Sequence, residues 1–248
     1  MNLDQLSYDP TLNRIIRVFG LRSLARKAYF AIHKGTETTI ACGGLKARFR
    51  TGDPVELRTV RGTAAGETKL LERLLNGLLS EDVFLDVGAN LGLFSIFAAQ
   101  KCRHVISCEP ETIASERLRT NIRLNQLQNI VVVTAALTDQ EGSGFISAPA
   151  SDQSIQDSRL ASSGQPVRLM RGDALPYQPT VVKIDVEGHE ISVLSGMNKL
   201  LSHVRLLFCE IHAGVHPDDI EGLLLRFGAW HFTRLGRHEQ IHLVAVRT

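Results

Sequence analysis

The sequence has few cysteines, and none of them is arranged as in a typical metal or redox motif. It contains four cysteines, and no two of them form a C-x-x-C pair. Cys108 and Cys209 lie inside apolar strand patterns. We therefore expect buried, reduced thiols and a cytoplasmic location.

Long apolar runs, leader segments and repeats are also missing. No apolar stretch approaches the length of a transmembrane helix. The chain opens with Asp4, Asp9 and Arg14 instead of the basic and then apolar run of a signal peptide. These absences favour a globular protein, and 248 residues suffice for one large domain with an extension.

Bulk charge is low, with a formal net charge of +2, so composition indicates no polyanionic partner. The charge is uneven, because residues 1–50 hold nine Lys or Arg and three Asp or Glu. Basic side chains interleave with an apolar helical face over residues 12–34. We expect a helix packed on the main domain, and a peripheral contact with an anionic membrane is the alternative.

What the sequence does contain is an alternation of strands and helices, which predicts a mainly parallel sheet covered on both faces. Five strands are predicted, at Val83–Val87, His104–Cys108, Ile130–Thr134, Val181–Val186 and Val204–Ile211. Two closing strands, Trp230–Leu235 and Ile241–Val246, are joined by a turn too short for a crossover helix and must be antiparallel. The predicted fold class is α/β, with a Rossmann-like sheet of seven strands that ends in an antiparallel hairpin.

The remaining pattern divides the chain into an accessory extension at residues 1–66 and a main domain at residues 67–248. The extension holds the basic helical segment and a hairpin that turns at Gly43-Gly44. The main domain starts with a helix at Glu67–Leu79 and carries an irregular insertion at residues 139–180, in which we expect a further hairpin.

The chain is organised around V-F-L-D-V-G-A-N-L-G at residues 83–92, a strand followed by a tight turn and a helix. Gly88 and Gly92 allow a sharp turn and the close approach of a ligand, and Asn90 can adopt a left-handed conformation. Asp86 distinguishes this loop, because a carboxylate there repels a pyrophosphate and suits a cationic ligand such as S-adenosylmethionine. The alternative is a purely structural turn.

Two further segments complete the predicted cofactor site. Glu109 ends the second strand, where an acid can accept hydrogen bonds from both ribose hydroxyls of an adenosine. It could instead cap the next helix. Ala136 and Leu137 follow the third strand. We expect them near the adenine, because ligands of open α/β sheets bind at the carboxyl ends of the strands.

A second dense group of charges follows the fourth strand. Lys183, Asp185 and Glu187 alternate with apolar residues and therefore share one face. Glu210 and His212 share a face at the end of the fifth strand. Buried charges are costly without partners or a ligand, so these groups are either reaction-centre residues or a self-neutralising structural cluster.

Together these motifs resemble the FkbM family of S-adenosylmethionine-dependent methyltransferases. The resemblance rests on D-V-G-A-N-L-G at 86–92, C-E-P at 108–110, N-x-x-x-N at 121–125, K-I-D-V-E-G-H-E at 183–190, V-L-S-G-M at 193–197 and C-E-I-H at 209–212. It implies a class I methyltransferase fold and methylation of a hydroxyl on a sugar, glycolipid or natural product. It also implies that the glycine loop and Glu109 bind the cofactor, and that the 183–190 motif lines the reaction centre.

The expected reaction is an in-line displacement at the sulfonium methyl by an acceptor oxygen, so the protein must align the partners and exclude water. An aliphatic hydroxyl needs a general base or a metal. The candidate bases are Asp185, Glu187, Glu210, His189 and His212. We expect Asp185 and Glu210 nearest to the acceptor.

A metal is not favoured. Asp185, Glu187 and Glu210 would offer hard oxygen ligands for Mg²⁺. Zinc is less favoured still, because Gly214 and Pro217 break the helix that a two-histidine zinc motif requires.

Three other functions compete with this hypothesis. A nicotinamide dehydrogenase would share Glu109 but would explain neither Asp86 nor the closing hairpin. Nucleic-acid amine methylation commonly uses an Asn/Asp-Pro-Pro-aromatic motif, whereas D-V-E-G stands there in a net acidic core. A non-catalytic cofactor-binding module would not need the reactive face at residues 183–190 and 210–212. We therefore expect a small-molecule or glycan hydroxyl as acceptor and no nucleic acid.

Overall fold

The computed structural model describes residues 37–50, 60–61, 66–147, 160–237 and 240–248. The basic segment predicted at residues 12–34 lies outside the described residues, as do residues 148–159 of the insertion. The boundary between accessory extension and main domain therefore stays a prediction. No helix in the described ranges is long and apolar enough to cross a membrane.

The described elements follow in chain order. They are β1 (Glu37–Cys42), β2 (Leu45–Arg50), α1 (Thr68–Gly77), β3 (Val83–Val87), α2 (Leu93–Ala98), β4 (His104–Cys108), α3 (Thr112–Leu124), β5 (Ile130–Val133), β6 (Ala136–Thr138), β7 (Gly142–Ile146), β8 (Leu160–Ala161), β9 (Gln165–Arg171), β10 (Val181–Ile184), α4 (Glu190–Ser195), β11 (Leu206–Ile211), α5 (Pro217–Leu225), β12 (Trp230–Arg237) and β13 (Gln240–Arg247).

The central sheet has seven strands in the order β5-β4-β3-β10-β11-β13-β12. Its first five strands are parallel, whereas β13 is antiparallel to β11 and β12 is antiparallel to β13. The predicted α/β class and the terminal antiparallel hairpin are confirmed. After β3, the chain adds β4 and then β5 on one side of it, and it later returns to the other side of β3 as β10. Ligands of open α/β sheets bind at such a switch point, at the carboxyl ends of the strands.

The pleat of the strands places the charged side chains on one face of the sheet. In β3, Phe84 packs into the apolar layer formed with α1 and α2, while Leu85 and Val87 pack into the layer formed with α4 and α5. Because successive side chains point to opposite faces, Asp86 shares the face of Phe84. The same alternation places Lys183, Glu210 and His242 on that face.

The predicted insertion forms a sheet of its own, which is larger and begins earlier than expected. Four strands pair in the order β6-β9-β7-β8. The predicted hairpin is its β7–β9 pair. The first strand starts at Ala136 and pairs in parallel with Leu169–Arg171, so the segment next to the predicted adenine site is part of this second sheet.

This second sheet also shortens a helix. The sequence predicts a helix over residues 189–201, but α4 ends at Ser195 and a single 3₁₀ turn follows at Leu200–Ser202. A Cβ on Gly196 would lie 2.0 Å from the backbone oxygen of Thr138, so β6 passes directly against the end of the helix. Asp173 Oδ1 accepts hydrogen bonds from the backbone N–H groups of Lys199 and Leu200, where the 3₁₀ turn begins.

The hairpin β1–β2 is confirmed, and the two asparagines of the N-x-x-x-N motif attach it to α3. Asn125 Oδ1 accepts from the backbone N–H of Arg48, and Asn125 Nδ2 donates to the carbonyl of Arg48. Asn121 Oδ1 accepts from the backbone N–H of Arg50, while Asn121 Nδ2 donates to the carbonyl of Leu91 in the glycine loop. The motif therefore has a structural role that connects the hairpin to the loop.

Candidate active site

A cavity of about 550 Å³ opens at the carboxyl ends of β3 and β10. It has the size of a typical small-molecule site. Six of the seven residues predicted to bind the cofactor line it, namely Asp86, Gly88, Asn90, Glu109, Ala136 and Leu137. Four of the five residues predicted to be catalytic do so as well, namely Lys183, Asp185, Glu187 and Glu210, and so does His189. The structure therefore brings both predicted sets into one cavity.

The glycine loop has the backbone that its sequence predicts. Asn90 has a left-handed φ of 50°, and Gly88 has a φ of 80°. A Cβ on Gly88 would lie 1.9 Å from the backbone oxygen of Asp185, so only glycine lets the loop lie against the end of β10. Gly92 does not line the cavity. It precedes α2 with a φ of 91°, and a Cβ there would lie 2.3 Å from Leu118 Cδ1.

Asp86 is almost completely buried, with 1% of its surface exposed. Its Oδ2 accepts a hydrogen bond of 2.6 Å from Ser95 Oγ, which is itself 2.7 Å from Ser107 Oγ. Its Oδ1 has no hydrogen-bond partner among the described residues. Burial raises the pKa of Asp86, and the nearby Lys183 ammonium opposes that shift. A buried acceptor without a donor indicates a place for a ligand that donates.

Both carboxylate oxygens of Glu109 accept backbone hydrogen bonds, and one of these bonds holds the glycine loop. Oε2 accepts from the backbone N–H of Asn90 at 2.8 Å, and Oε1 accepts from that of Glu111 at 2.9 Å. The alternative role as a helix cap belongs to Glu111, whose side chain accepts from Ala114 at the start of α3. Burial raises the pKa of Glu109 to about 7. Each of its oxygens keeps a second lone pair toward the cavity.

Lys183 and Asp185 form the central ion pair of the second group. Lys183 Nζ lies 2.9 Å from Asp185 Oδ2 and 4.5 Å from the centre of the Phe94 ring. Burial would raise the pKa of Asp185, but the ammonium outweighs it and holds that pKa below its usual value. Asp185 is therefore a carboxylate at neutral pH and a weak proton acceptor.

His212 lies at the centre of four carboxylates. Its Nδ1 is 2.7 Å from Glu190 Oε1, and its Nε2 is 3.5 Å from Glu187 Oε1 and 3.8 Å from both Asp185 Oδ1 and Glu210 Oε1. Burial alone would lower the pKa of His212, but Glu187 and Glu190 raise it to about 10. A protonated imidazole has no lone pair for a proton, so His212 in this form does not act as the base.

Glu210 has the properties of a general base. Only 8% of its surface is exposed, and it lines the cavity. Burial and the neighbouring Asp185 raise its pKa to about 7, against the opposing effect of Lys183 and His212. A base is most effective when its pKa lies near the working pH.

Three residues of the site carry no assigned role in the sequence analysis. His242 pairs in register with Glu210, and its Nδ1 lies 3.9 Å from Glu210 Oε2. This neighbour results from the pairing of β13 with β11, which the local sequence does not specify. Glu190 is fully buried behind His212, and Glu67 lines the cavity from the start of α1. Glu190 is the last residue of the 183–190 motif, whereas no local pattern indicates Glu67.

The ligand atoms of Asp185, Glu187 and His212 lie within 4.8 Å of one another, close enough to hold a metal ion. This set differs from the predicted magnesium ligands, because His212 takes the place of Glu210. In the absence of an ion, the protonated ring of His212 is the cation that lies between these carboxylates.

Comparison with known proteins identifies relatives of the whole domain. The family model of the methyltransferase FkbM domain matches residues 86–229. Hexuronic acid methyltransferase AglP of Haloferax volcanii is 31% identical over 195 residues, which are 73% of this chain and 77% of that protein.

Two solved structures share the fold at low sequence identity. Methyltransferase FkbM from Methylobacillus flagellatus KT is 18% identical, with a TM-score of 0.53, over 68% of this chain and 44% of that one. Trm5b from Pyrococcus abyssi is 15% identical, with a TM-score of 0.52, over 85% of this chain and 56% of that one. The chain thus spans about half the length of these two proteins, and at such identities the likeness is one of fold alone.

Proposed function

Because the chain belongs to the FkbM family and is an S-adenosylmethionine-dependent methyltransferase, we propose that it methylates a hydroxyl group of a sugar. The observation that carries this proposal is a single cavity that is lined both by the acidic glycine loop and by Glu210. The first suits a cationic methyl donor, and the second suits deprotonation of a hydroxyl.

The residues at the loop end fit the cofactor. Two buried acceptors there, Asp86 Oδ1 and Asn90 Oδ1, have no hydrogen-bond partner in the described ranges. The cofactor offers donors at its ammonium and ribose hydroxyls. We assign the ammonium end to Asp86, the ribose to Glu109 and the adenine to the start of β6 at Ala136 and Leu137, all of which line the cavity.

When bound, S-adenosylmethionine supplies a methyl group activated by its sulfonium. During transfer the carbon–sulfur bond breaks, a carbon–oxygen bond forms, and the acceptor hydroxyl must lose its proton. Glu210 takes that proton, because its carboxylate faces the cavity and its pKa of about 7 makes it half deprotonated near neutral pH. Lys183 and His212 hold Asp185 in place, which leaves Asp185 to orient the hydroxyl.

A sugar is the acceptor class that the site and the relative favour. The cavity wall presents several hydrogen-bonding groups, among them Asp185, Glu187, Glu210 and His242. Such a wall suits the many hydroxyl groups of a polyol. The relative that is 31% identical is named a hexuronic acid methyltransferase, which makes hexuronic acids the first acceptors to test.

The test is a methyl-transfer assay with S-adenosylmethionine over a panel of hexuronic acid glycosides, neutral sugar glycosides and RNA. We expect methylated glycosides, each formed together with one S-adenosylhomocysteine, and no methylated RNA. The position of the methyl group is read by mass spectrometry and NMR. Transfer to RNA alone would replace this proposal with the nucleic-acid alternative, and cofactor binding without transfer to any member would contradict it.

A further inference from the structure

We propose that Glu67 is a further cofactor-binding residue, whose carboxylate holds a positively charged group of S-adenosylmethionine together with Asp86. The inference rests on the function proposed above. Glu67 precedes the residues that match the family model, which begin at residue 86. Its role therefore has to be argued from the structure of this chain.

The first argument is where the Glu67 side chain lies. Glu67 is the residue immediately before α1, a position at which some side chains accept a hydrogen bond from a free backbone N–H of the first turn. Its backbone carbonyl accepts from Leu71 at 2.8 Å, but its side chain makes no capping hydrogen bond. The side chain instead lines the cavity beside Asp86 and Glu210.

The second argument is an unmatched acceptor. Glu67 Oε2 is buried and has no hydrogen-bond partner within the described part of the chain, as is true of Asp86 Oδ1. Leaving a buried carboxylate oxygen without a donor is unfavourable. Two such oxygens on the wall of one cavity fit a ligand that brings several donors, and an ammonium group has three.

The third argument is the charge balance around Glu67. Burial raises the pKa of Glu67 to about 7, Lys183 opposes that rise, and Asp185, Glu210 and Asp86 add to it. The ammonium of Lys183 is already hydrogen bonded to Asp185. The ionisable groups that raise the pKa of Glu67 are thus all carboxyls, and a cationic ligand would favour their charged forms.

The test compares three ligands by isothermal titration calorimetry. S-adenosylmethionine carries an ammonium and a sulfonium, S-adenosylhomocysteine carries the ammonium only, and methylthioadenosine carries neither. The variant is Glu67→Gln, which keeps the shape of the side chain and removes its charge. The matched control is Glu72→Gln, because Glu72 lies exposed on the same helix.

We expect Glu67→Gln to lower the affinity for S-adenosylmethionine by at least about tenfold, since hydrogen bonds to charged groups contribute about 1.5–3 kcal/mol. Methylthioadenosine should bind both proteins equally, and Glu72→Gln should bind all three ligands as the parent does. If the affinity for S-adenosylhomocysteine falls as much as that for S-adenosylmethionine, Glu67 contacts the ammonium. If only the affinity for S-adenosylmethionine falls, Glu67 contacts the sulfonium. Either result supports the proposal.

A second measurement is the number of protons that are released when the ligand binds. A cation beside Glu67 favours its charged form, so binding near neutral pH should release protons, and titration in buffers of different ionisation enthalpy should show less release in Glu67→Gln. Unchanged affinity for S-adenosylmethionine, or an equal loss for methylthioadenosine, would overturn the proposal. Failure of the parent protein itself to bind S-adenosylmethionine would instead overturn the proposed function.

Discussion

The site contains two groups of charged side chains, which are held in different ways. We call the group with Asp86 and Glu109 the cofactor end, and the group with Asp185, Glu187, Glu210 and His212 the reaction end. At the cofactor end, acidic side chains are held by backbone N–H groups and hydroxyls, as Glu109 is by Asn90 and Asp86 is by Ser95. At the reaction end, charged side chains are held mainly by one another, and His212 alone lies within 4 Å of four carboxylates. The first is a fixed frame of neutral donors, and the second is a coupled charge network.

This difference predicts different responses to mutation. A residue held by a neutral donor can be replaced with mainly local effects, because its neighbours keep their own partners. A residue of the charge network cannot, because removing one charge leaves another buried charge without its partner. The cofactor end should therefore show separable binding effects, and the reaction end should show large, mutually dependent effects on turnover.

The largest expected effect is at Glu210. Glu210→Gln should lower kcat by about 10²–10⁴-fold, because it removes the proposed proton acceptor. In the parent enzyme kcat/KM should rise with pH through about 7, since the carboxylate form is the active one and burial raises the pKa of Glu210 to about 7. The check is a pH series of initial rates with a hexuronic acid glycoside as acceptor.

The contrast with cofactor affinity makes this prediction specific. Calorimetric affinity for S-adenosylhomocysteine should change little in Glu210→Gln. A variant that keeps most of its turnover would exclude Glu210 as the base and shift attention to His242, whose Nδ1 lies 3.9 Å from Glu210 Oε2.

The next largest effect is at the cofactor end, where Asp86→Asn should weaken S-adenosylmethionine by about 10- to 100-fold. Asparagine can still accept from Ser95 but no longer offers a charged oxygen. Calorimetry checks the affinity, and thermal unfolding of the variant without ligand checks the fold. Unchanged affinity would show that Asp86 does not bind the cofactor. Asp86 would then no longer distinguish this loop from one that binds a dinucleotide.

The fixed frame at the cofactor end could be predicted from the sequence, because its strands and the glycine loop are set by residues that are close together along the chain. The boundaries of β3 and β4 coincide with those predicted, and the left-handed Asn90 and the tight approach at Gly88 follow from the motif itself. The second sheet was underestimated because Ala136–Thr138 pairs with Leu169–Arg171, far along the chain. The α4 helix is shorter than predicted for the same reason, since this sheet passes against its end.

The charge network could be predicted only in part. The alternation of Lys183 and Asp185 along the chain indicates a shared face, but the protonation of His212 depends on Glu190, a residue buried behind it. His242 comes from the opposite end of the domain through an antiparallel register. Such neighbours arise from tertiary packing, for which the local sequence holds no signal.

A double-mutant cycle tests the coupling of the network directly. Asp185→Asn and His212→Gln should each lower kcat, and the double variant should lose less than the two single losses combined, with a coupling of about 0.5–3 kcal/mol. At the cofactor end, Asp86→Asn combined with Glu109→Gln should be close to additive in binding free energy. Additive losses at the reaction end would show that its residues act independently.

The smallest expected effect is that of chelation. Asp185, Glu187 and His212 are placed to hold a divalent ion, but an ion there would have to displace the proton of His212, whose pKa the carboxylates raise to about 10 in the ion-free site. Turnover should therefore be unchanged after dialysis against EDTA. Loss of activity that Mg²⁺ restores would mean that a metal, rather than imidazolium, holds these carboxylates together. The network would then be organised by an ion, and the contrast between the two ends would be one of ligand chemistry, with a bound cation at each end.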